Sequence, residues 1–438
     1  MGSYIPVTGP QQQEMLEAAG LGTVRQMYAD IPEEMLCGAL NLPKGKSELE
    51  VRRAVEGMAA QNKVFQTLFR GAGAYRHYIP SVVKEVAGKE TFVTAYTPYQ
   101  AEISQGVLQA IFEFQTEISA LTGLEVANAS VYDGACAAAE ATIMCRERAR
   151  QRVLVAETAH PDARAVIQTY CESGNAPVEV LPQKGGLLNL DALEKALGPG
   201  VACLYLQSPN FYGLLEEVEE AVRLCHAAGV KVILGTNPIA LALFKTPGEL
   251  GADIAVGEGQ PLGLPLSFGG PYLGYMACTK ALMRRLPGRI AGQTTDADGK
   301  RAFVLTLQAR EQHIRREKAL SSICSNQALC ALTATVYLAA MGPGGLRQAA
   351  AQCYAKAHYA AGALAKAGFA RVHRGEFFHE FATACPVPAA KLMKALEAEN
   401  MLGGLPVEKG ILWCFTEMNT KQEIDKLAEV CGKVVAEA

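Results

Sequence analysis

The chain has 438 residues, half of them hydrophobic, and a net charge of -3 from 41 basic and 44 acidic residues. That length suits two or three structural units, and the charges form no long single-sign run, which excludes the usual signature of a nucleic-acid or membrane-surface binder. The thirteen cysteines make no CxxC pair; most, like Cys203, Cys225 and Cys278, sit in apolar runs and read as reduced buried thiols of a cytoplasmic protein, not as disulfides or a metal centre.

The start, MGSYIPVTGPQQQEML, has no basic segment followed by an apolar one, so no signal peptide is expected. Residues 1–65 read as a helical arm, interrupted at Pro43, Lys44, Gly45 and Lys46 before a helix at 47–61, and built to pack on something else, such as a second subunit. Two polar, aromatic loops follow: RGAGAYRHYIP at 70–80 and AYTPYQAEISQG at 95–106. From there helices and short apolar strands alternate: an amphipathic helix at 109–121, a small-residue helix at 135–150, a strand at 152–155, a helix at 162–173 and a strand at 178–181. The series runs on through a helix at 190–197, a strand at 202–207, a helix at 216–228 and strands at 231–234 and 253–256. Strict alternation predicts an α/β domain with a mostly parallel sheet, over 66–330.

The basic stretch 284–318 contains DADG at 296–299, a hairpin turn, since a calcium loop would need a glutamate where Leu307 stands. In EQHIRREKALSSIC, helical spacing puts Arg315 and Lys318 on one face and Gln312 and Arg316 on another; a solvated charged face would read the same way, but the uncharged run that follows favours an interface. No charge falls between 320 and 346, but polar residues and a Gly-Pro-Gly-Gly break favour a buried helix over a membrane span. A long helix at 348–367, strands at 370–373, 380–384 and 411–415, and helices at 389–399 and 421–436 predict a smaller α+β domain, 331–438.

Several motifs could carry chemistry. GEGQPLG at 257–263 looks like a dinucleotide fingerprint, but Pro261 and Pro265 block the helix such a turn must open. Gly134 and Ala135 start a helix whose free amides suit a phosphate; close helix packing explains the small residues equally well. His160, at a strand end before a proline-started helix, is placed to stack on a flat ring. HExxH, Walker A and GxSxG are absent.

The residues carry a resemblance. AYTPYQAEISQG at 95–106, LQSPNFYG at 206–213, KTPGELGADIAVGEGQPLGLPLSFGGPYLG at 245–274 and LQAREQHIRREKALSSICSNQAL at 307–329 resemble the P-protein family of the glycine cleavage system, glycine dehydrogenase (decarboxylating). The likeness runs to TEMNTKQEID at 416–425, and the length is similar to the family's separate N-terminal-half subunit. The resemblance implies the pyridoxal phosphate fold type I, with a large α/β domain and a smaller C-terminal α+β domain. It also implies a second, cofactor-bearing subunit, glycine as substrate and a lipoylated carrier, the H-protein.

On the family's spacing Gln260 stands where the Schiff-base lysine would be, and Asn237 closes a strand end, 234–237, that lacks the aspartate expected under the pyridine nitrogen. An amide cannot form the imine. Gly134, Ala135, His160, Asn237 and Gln260 are therefore expected to form a degenerate cofactor pocket, with pyridoxal phosphate carried by the partner. Arg76, His77, Tyr78, Tyr96, Tyr99, Gln100 and Glu102 are expected to line the partner's active site, the alternative being plain interface packing. Arg315, Arg316 and Lys318 are expected at the interface, and Arg284, Arg285 and Arg289 could meet an acidic carrier. Two competing readings are a self-sufficient enzyme using Lys245 or Lys280, and a scaffold that never touches substrate.

Overall fold

The computed structural model of the chain describes residues 6–38, 40–96 and 98–437. The first five residues, on which part of the leader reading rests, and Thr97 of the second aromatic loop lie outside them. Two compact units result, Met1–Val64 and Phe65–Ala438.

The first unit holds helices Gly9–Ala18 and Glu48–Ala59 with two short 3-10 turns. Ser47 starts the second helix by a reciprocal cap: its hydroxyl accepts from the Glu50 amide at 3.3 Å, and its own amide donates to the Glu50 carboxylate at 2.7 Å. Among the described residues of this unit only Leu16 is a buried hydrophobic, while Met27, Leu40, Leu42 and Met58 are exposed.

The second unit is organised by a seven-stranded sheet. Its strands are β1 (Val126–Ala127), β2 (Arg152–Ala156), β3 (Val178–Leu181), β4 (Val201–Gln207), β5 (Lys231–Thr236), β6 (Ile254–Glu258) and β7 (Gly274–Cys278). The order is β1-β7-β6-β5-β4-β2-β3. From β6 to β3 every pair is parallel, and β7 runs antiparallel to both β6 and β1. The strands are nearly continuous apolar runs because both faces are covered. Val153, Val155, Ile233 and Val256 pack under the helices Gly134–Cys145 and Pro161–Ser173. Their neighbours Leu154, Ala156, Val232 and Leu234 turn to the other face, against Leu190–Ala196 and Val218–Ala227.

A three-stranded antiparallel sheet of Glu380–Thr383, Gly410–Cys414 and Leu405–Val407 forms a further core with the helices Ala389–Ala398 and Lys421–Ala436. Thr67–Leu68 pairs in parallel with Met401–Leu402, so the chain just after the first unit is tied to the C-terminal part.

Four expectations need correction. The helix beginning at Gly134 stops at Cys145, because Glu147 and Arg150 close a tight bridge in place of its last turn. The stretch 312–318 is not a continuous helix: one turn, Gln312–Arg315, is followed by Arg316 at φ +56° and a 3-10 turn. The Arg310 guanidinium, bonded to the Leu286 and Gly288 carbonyls, and buried Glu311 pin this segment to a neighbouring turn, so tertiary hydrogen bonds override helical spacing. Helix resumes only at Ala328 and runs to Lys366 across a break at Gly342, φ +60°, next to Pro343. By length and composition it could cross a membrane, but Cys330, Ala331, Ala334 and Tyr337 pack into a core cluster with Tyr275 and Ala277 of β7. The strand expected at 370–373 is reduced to a single bridge, Arg371 to Thr383. Strand β7 itself was not foreseen; the five apolar and small residues Gly274–Cys278 were its signal.

A candidate cofactor-like pocket

The carboxyl ends of β5 and β6 and the start of the Gly134–Cys145 helix enclose a cavity of about 620 Å³. The helix approaches closely because its first turn is small: a Cβ on Gly134 would stand 2.8 Å from the Glu258 amide nitrogen. Asp133, extended at φ -158°, caps it by accepting from the Cys136 amide at 2.8 Å.

Gln260 is 1 % exposed, and every end of its amide is used. Its oxygen accepts from the Tyr75 amide at 2.8 Å, and its nitrogen donates to the carbonyls of Tyr75 at 2.9 Å and Leu264 at 2.8 Å. The side chain thus acts like a short piece of strand that ties the first aromatic loop to the end of β6. At about 1 kcal/mol per bond this is a structural clamp.

Glu258 takes the position a bound anion would want. One oxygen accepts from the Gly134 amide at 3.0 Å; the other accepts from the amides of Gln260 at 2.9 Å and Leu273 at 2.8 Å. Burial pushes its carboxyl up to about 7, against the pull of those three amides. His160 caps the Pro161–Ser173 helix, Nδ1 accepting from the Asp162 amide at 3.1 Å, so Nε2 carries the proton and donates to the Ala72 carbonyl at 2.9 Å. Gly73 can lie this close only as glycine: its φ is +107°, and a Cβ would meet His160 Nε2 at 2.8 Å. The ring stands edge-on to Phe211 at 5.3 Å. Asn237 caps a turn through Oδ1, which accepts from the Ile239 and Ala240 amides, and turns Nδ2 toward His379 Nε2 at 3.5 Å.

Four side chains here escaped the sequence reading: Tyr75, Glu258, His379 and Glu380. Glu258 lay in the stretch singled out, but only its glycines were weighed. Glu380 accepts from the Ala72 amide and the Tyr75 hydroxyl, both at 2.7 Å, and burial raises its carboxyl to about 7. His379 lies 4.6 Å from the Tyr75 ring. Their only signal was an acid and two aromatics in otherwise apolar or loop segments.

The expected partner-facing residues divide. Arg76 and Tyr78 are exposed, whereas His77 lies inside, its Nδ1 2.8 Å from Glu417, with Cys353 donating to the same carboxylate oxygen at 3.2 Å. Burial alone would raise the Glu417 carboxyl, but His77, the Tyr78 amide and Cys353 hold it down to about 2. His77 is therefore a core residue, because Glu417 draws it inward. Tyr96 is 94 % exposed, Gln100 and Glu102 are exposed, and Tyr99 lies half-buried under the Arg289 guanidinium at 3.7 Å. Arg315, Arg316 and Lys318 are all exposed, on the broken segment and not on one helix. Arg285 and Arg289 bond to the carbonyls of Arg146 and Cys324, leaving Arg284 the most open of the three. Lys245, paired with Glu219 at 2.7 Å, and exposed Lys280 are not among the residues lining the cavity.

Pyridoxal phosphate does not fit these residues. The Gln260 amide is neither an amine nor free, the Gly134 amide already serves a carboxylate, and Asn237 is committed to its own turn. The described lining has Asp133, Asp162, Glu258 and Glu380 but no lysine or arginine to balance a phosphate.

Residues 2–431 match the family model of the glycine cleavage system P-protein. The chain is 47 % identical, over 99 % of its length and 100 % of the relative's, to a probable glycine dehydrogenase (decarboxylating) subunit 1 from Desulfitobacterium hafniense. It is similar, with a TM-score of 0.93, 41 % identity and coverage of 99 % of this chain and 100 % of the other, to a crystal structure of glycine decarboxylase (P-protein) in inhibitor-bound form. A sphingosine-1-phosphate lyase from Burkholderia pseudomallei, at 14 % identity, TM-score 0.67 and 94 % coverage of both chains, shares the fold alone. The fold is that of the fold type I pyridoxal phosphate enzymes, and the chain belongs to the glycine cleavage system P-protein family.

Proposed function

We propose that this chain is the cofactor-free subunit of a two-chain glycine decarboxylase. Its partner carries pyridoxal phosphate on a lysine, and together they release carbon dioxide from glycine and pass the aminomethyl group to the lipoyl arm of the H-protein. The bound cofactor supplies an electron sink for the carbanion left by decarboxylation. This chain holds its partner and presents the exposed Tyr96, Gln100 and Glu102, with Arg76 and Tyr78, to the shared site. A cytoplasmic location belongs to the same proposal.

The observation that carries the reading is Gln260. At the strand end where an imine-forming amine would be needed, a buried amide is fully hydrogen-bonded to the chain's own backbone, in a chain whose relative is named as a subunit. The test is reconstitution. The chain alone, given pyridoxal phosphate and borohydride, should acquire no pyridoxyl-lysine. Mixed with a lysine-bearing homologue from the same genome, it should restore glycine-dependent release of carbon dioxide that neither chain shows alone. A pyridoxyl group on Lys245, Lys280 or any other lysine of this chain would overturn the proposal.

A further inference from the structure

The segment TEMN at 416–419 has no part in the proposed chemistry, yet its side chains converge on one distant stretch of chain. Thr416 is 4 % exposed, and its hydroxyl donates to the Arg76 carbonyl at 2.7 Å. Glu417 accepts from the Tyr78 amide through Oε1 at 2.6 Å and holds His77 Nδ1 through Oε2. Asn419 donates to the Leu68 carbonyl at 3.0 Å and accepts from the Thr416 amide at 2.9 Å, so it braces both the loop and its holder. Residues 74–80 belong to no helix or strand. Side chains therefore take up the backbone groups that a ladder would otherwise satisfy.

We propose that Thr416 is a positioning residue: through the Arg76 carbonyl it aims the Arg76 guanidinium, with Tyr78 beside it, at the site shared with the partner. The inference rests on the two-chain reading above. Tyr75 and His77 turn inward, onto Glu380 and Glu417, while Arg76 and Tyr78 are exposed. That is the alternation of an extended segment, in which successive side chains leave opposite faces. Clamping the inner pair thus fixes the direction of the outer pair.

The clamp closes on both sides of Arg76. Before it, Gln260 grips the amide and the carbonyl of Tyr75; after it, Glu417 grips the amide of Tyr78. Thr416 holds the carbonyl of the residue between them. The guanidinium adds a bond of its own to the Gln66 carbonyl at 2.8 Å, so it reaches the surface from a fixed base. A misplacement of about 1 Å can cost a reacting centre about a hundredfold in rate, which makes turnover the sensitive readout of a lost anchor.

The test uses the assembled pair and compares variants of this chain in glycine-dependent release of carbon dioxide. Thr416→Val keeps the shape of the side chain and removes its donor; turnover should fall about tenfold or more. Assembly, the pyridoxal phosphate content of the partner and the circular dichroism spectrum should stay as in wild type. Thr416→Ser keeps the hydroxyl and should restore turnover to the wild-type level. In a chain that already carries Arg76→Ala, itself slower than wild type, adding Thr416→Val should cost nothing further, because a residue that acts through another is not additive with it. If Thr416→Val does not fold, Gln260→Met, which cuts the anchor on the other side, goes through the same cycle. Full turnover in a folded, assembled Thr416→Val pair, an equal loss in Thr416→Ser, full turnover in Arg76→Ala, or losses that multiply in the double variant would each overturn the positioning role and leave the two-chain reading standing. A wild-type pair that releases no carbon dioxide would overturn both.

Discussion

The strand-end cavity and the 95–104 loop are both polar and aromatic in sequence, yet they spend those residues in opposite ways. Around the cavity the Gln260 amide and the Glu258 carboxylate bond to backbone of the same chain, and His160 fastens the first aromatic loop. In the loop Tyr96 is 94 % exposed and Ile103 79 % exposed, while Tyr99 is tucked under Arg289. Around the cavity these side chains are tied down by hydrogen bonds within the chain, because buried polar groups must find partners. Tyr96 and Ile103 stand open to solvent instead, as residues of a surface that met another molecule would.

The largest test of that contrast is Gln260→Lys. The ammonium could not accept from the Tyr75 amide and would be buried in place of a neutral clamp, so unfolding titrations should show a loss of about 3–5 kcal/mol. No pyridoxyl-lysine should form; formation of one in a stable variant would break the contrast at its centre. Glu417→Gln should cost about 3 kcal/mol at neutral pH, since the folded carboxyl titrates near 2 against an unfolded value of 4.5. A depressed carboxyl stabilises above the unfolded value and loses that contribution as pH falls toward 2, so the gap between wild type and variant should close over that window in urea titrations.

Glu258 has the opposite sign. Its folded value, about 7, exceeds the unfolded 4.5, so its contribution is complete below 4.5 and is lost as pH rises through 7. Glu258→Gln does not titrate, and its stability relative to wild type should therefore improve by up to about 3 kcal/mol between those limits. A flat difference would mean that Glu258 is charged at its amide cradle throughout. On the loop side, Tyr96→Ala should change the stability of this chain by no more than about 0.5 kcal/mol. Turnover of the assembled pair should nevertheless fall at least tenfold; unchanged turnover with intact assembly would favour a mere scaffold.

The alternating strands of the sheet were legible because burial on both faces writes them as apolar runs between breakers, and Val178–Leu181 and Lys421–Ala436 lie where their patterns end. That the Gln260 amide cannot form an imine was legible too, since it concerns which atoms a side chain possesses. What escaped was set at a distance. His77 looked like a loop residue facing outward until Glu417, 340 positions away, drew it into the core. Nothing near Arg316 announces that Arg310 will pin the segment before it. Glu258 was overlooked because an acid beside glycines is ordinary; its role depends on where the Gly134 amide arrives.

The first unit, with Leu16 its one buried hydrophobic among the described residues, has a thermodynamic consequence of its own. Helices of ten and twelve residues are marginal in water without tertiary support, and caps such as Ser47 supply only part of what they need. Their folding is therefore linked to whatever surface covers them, and obeys mass action. Dilution or loss of that surface should release the arm first, as a protease-sensitive tail on an otherwise intact body, so the cutting rate at residues 9–59 becomes a gauge of assembly.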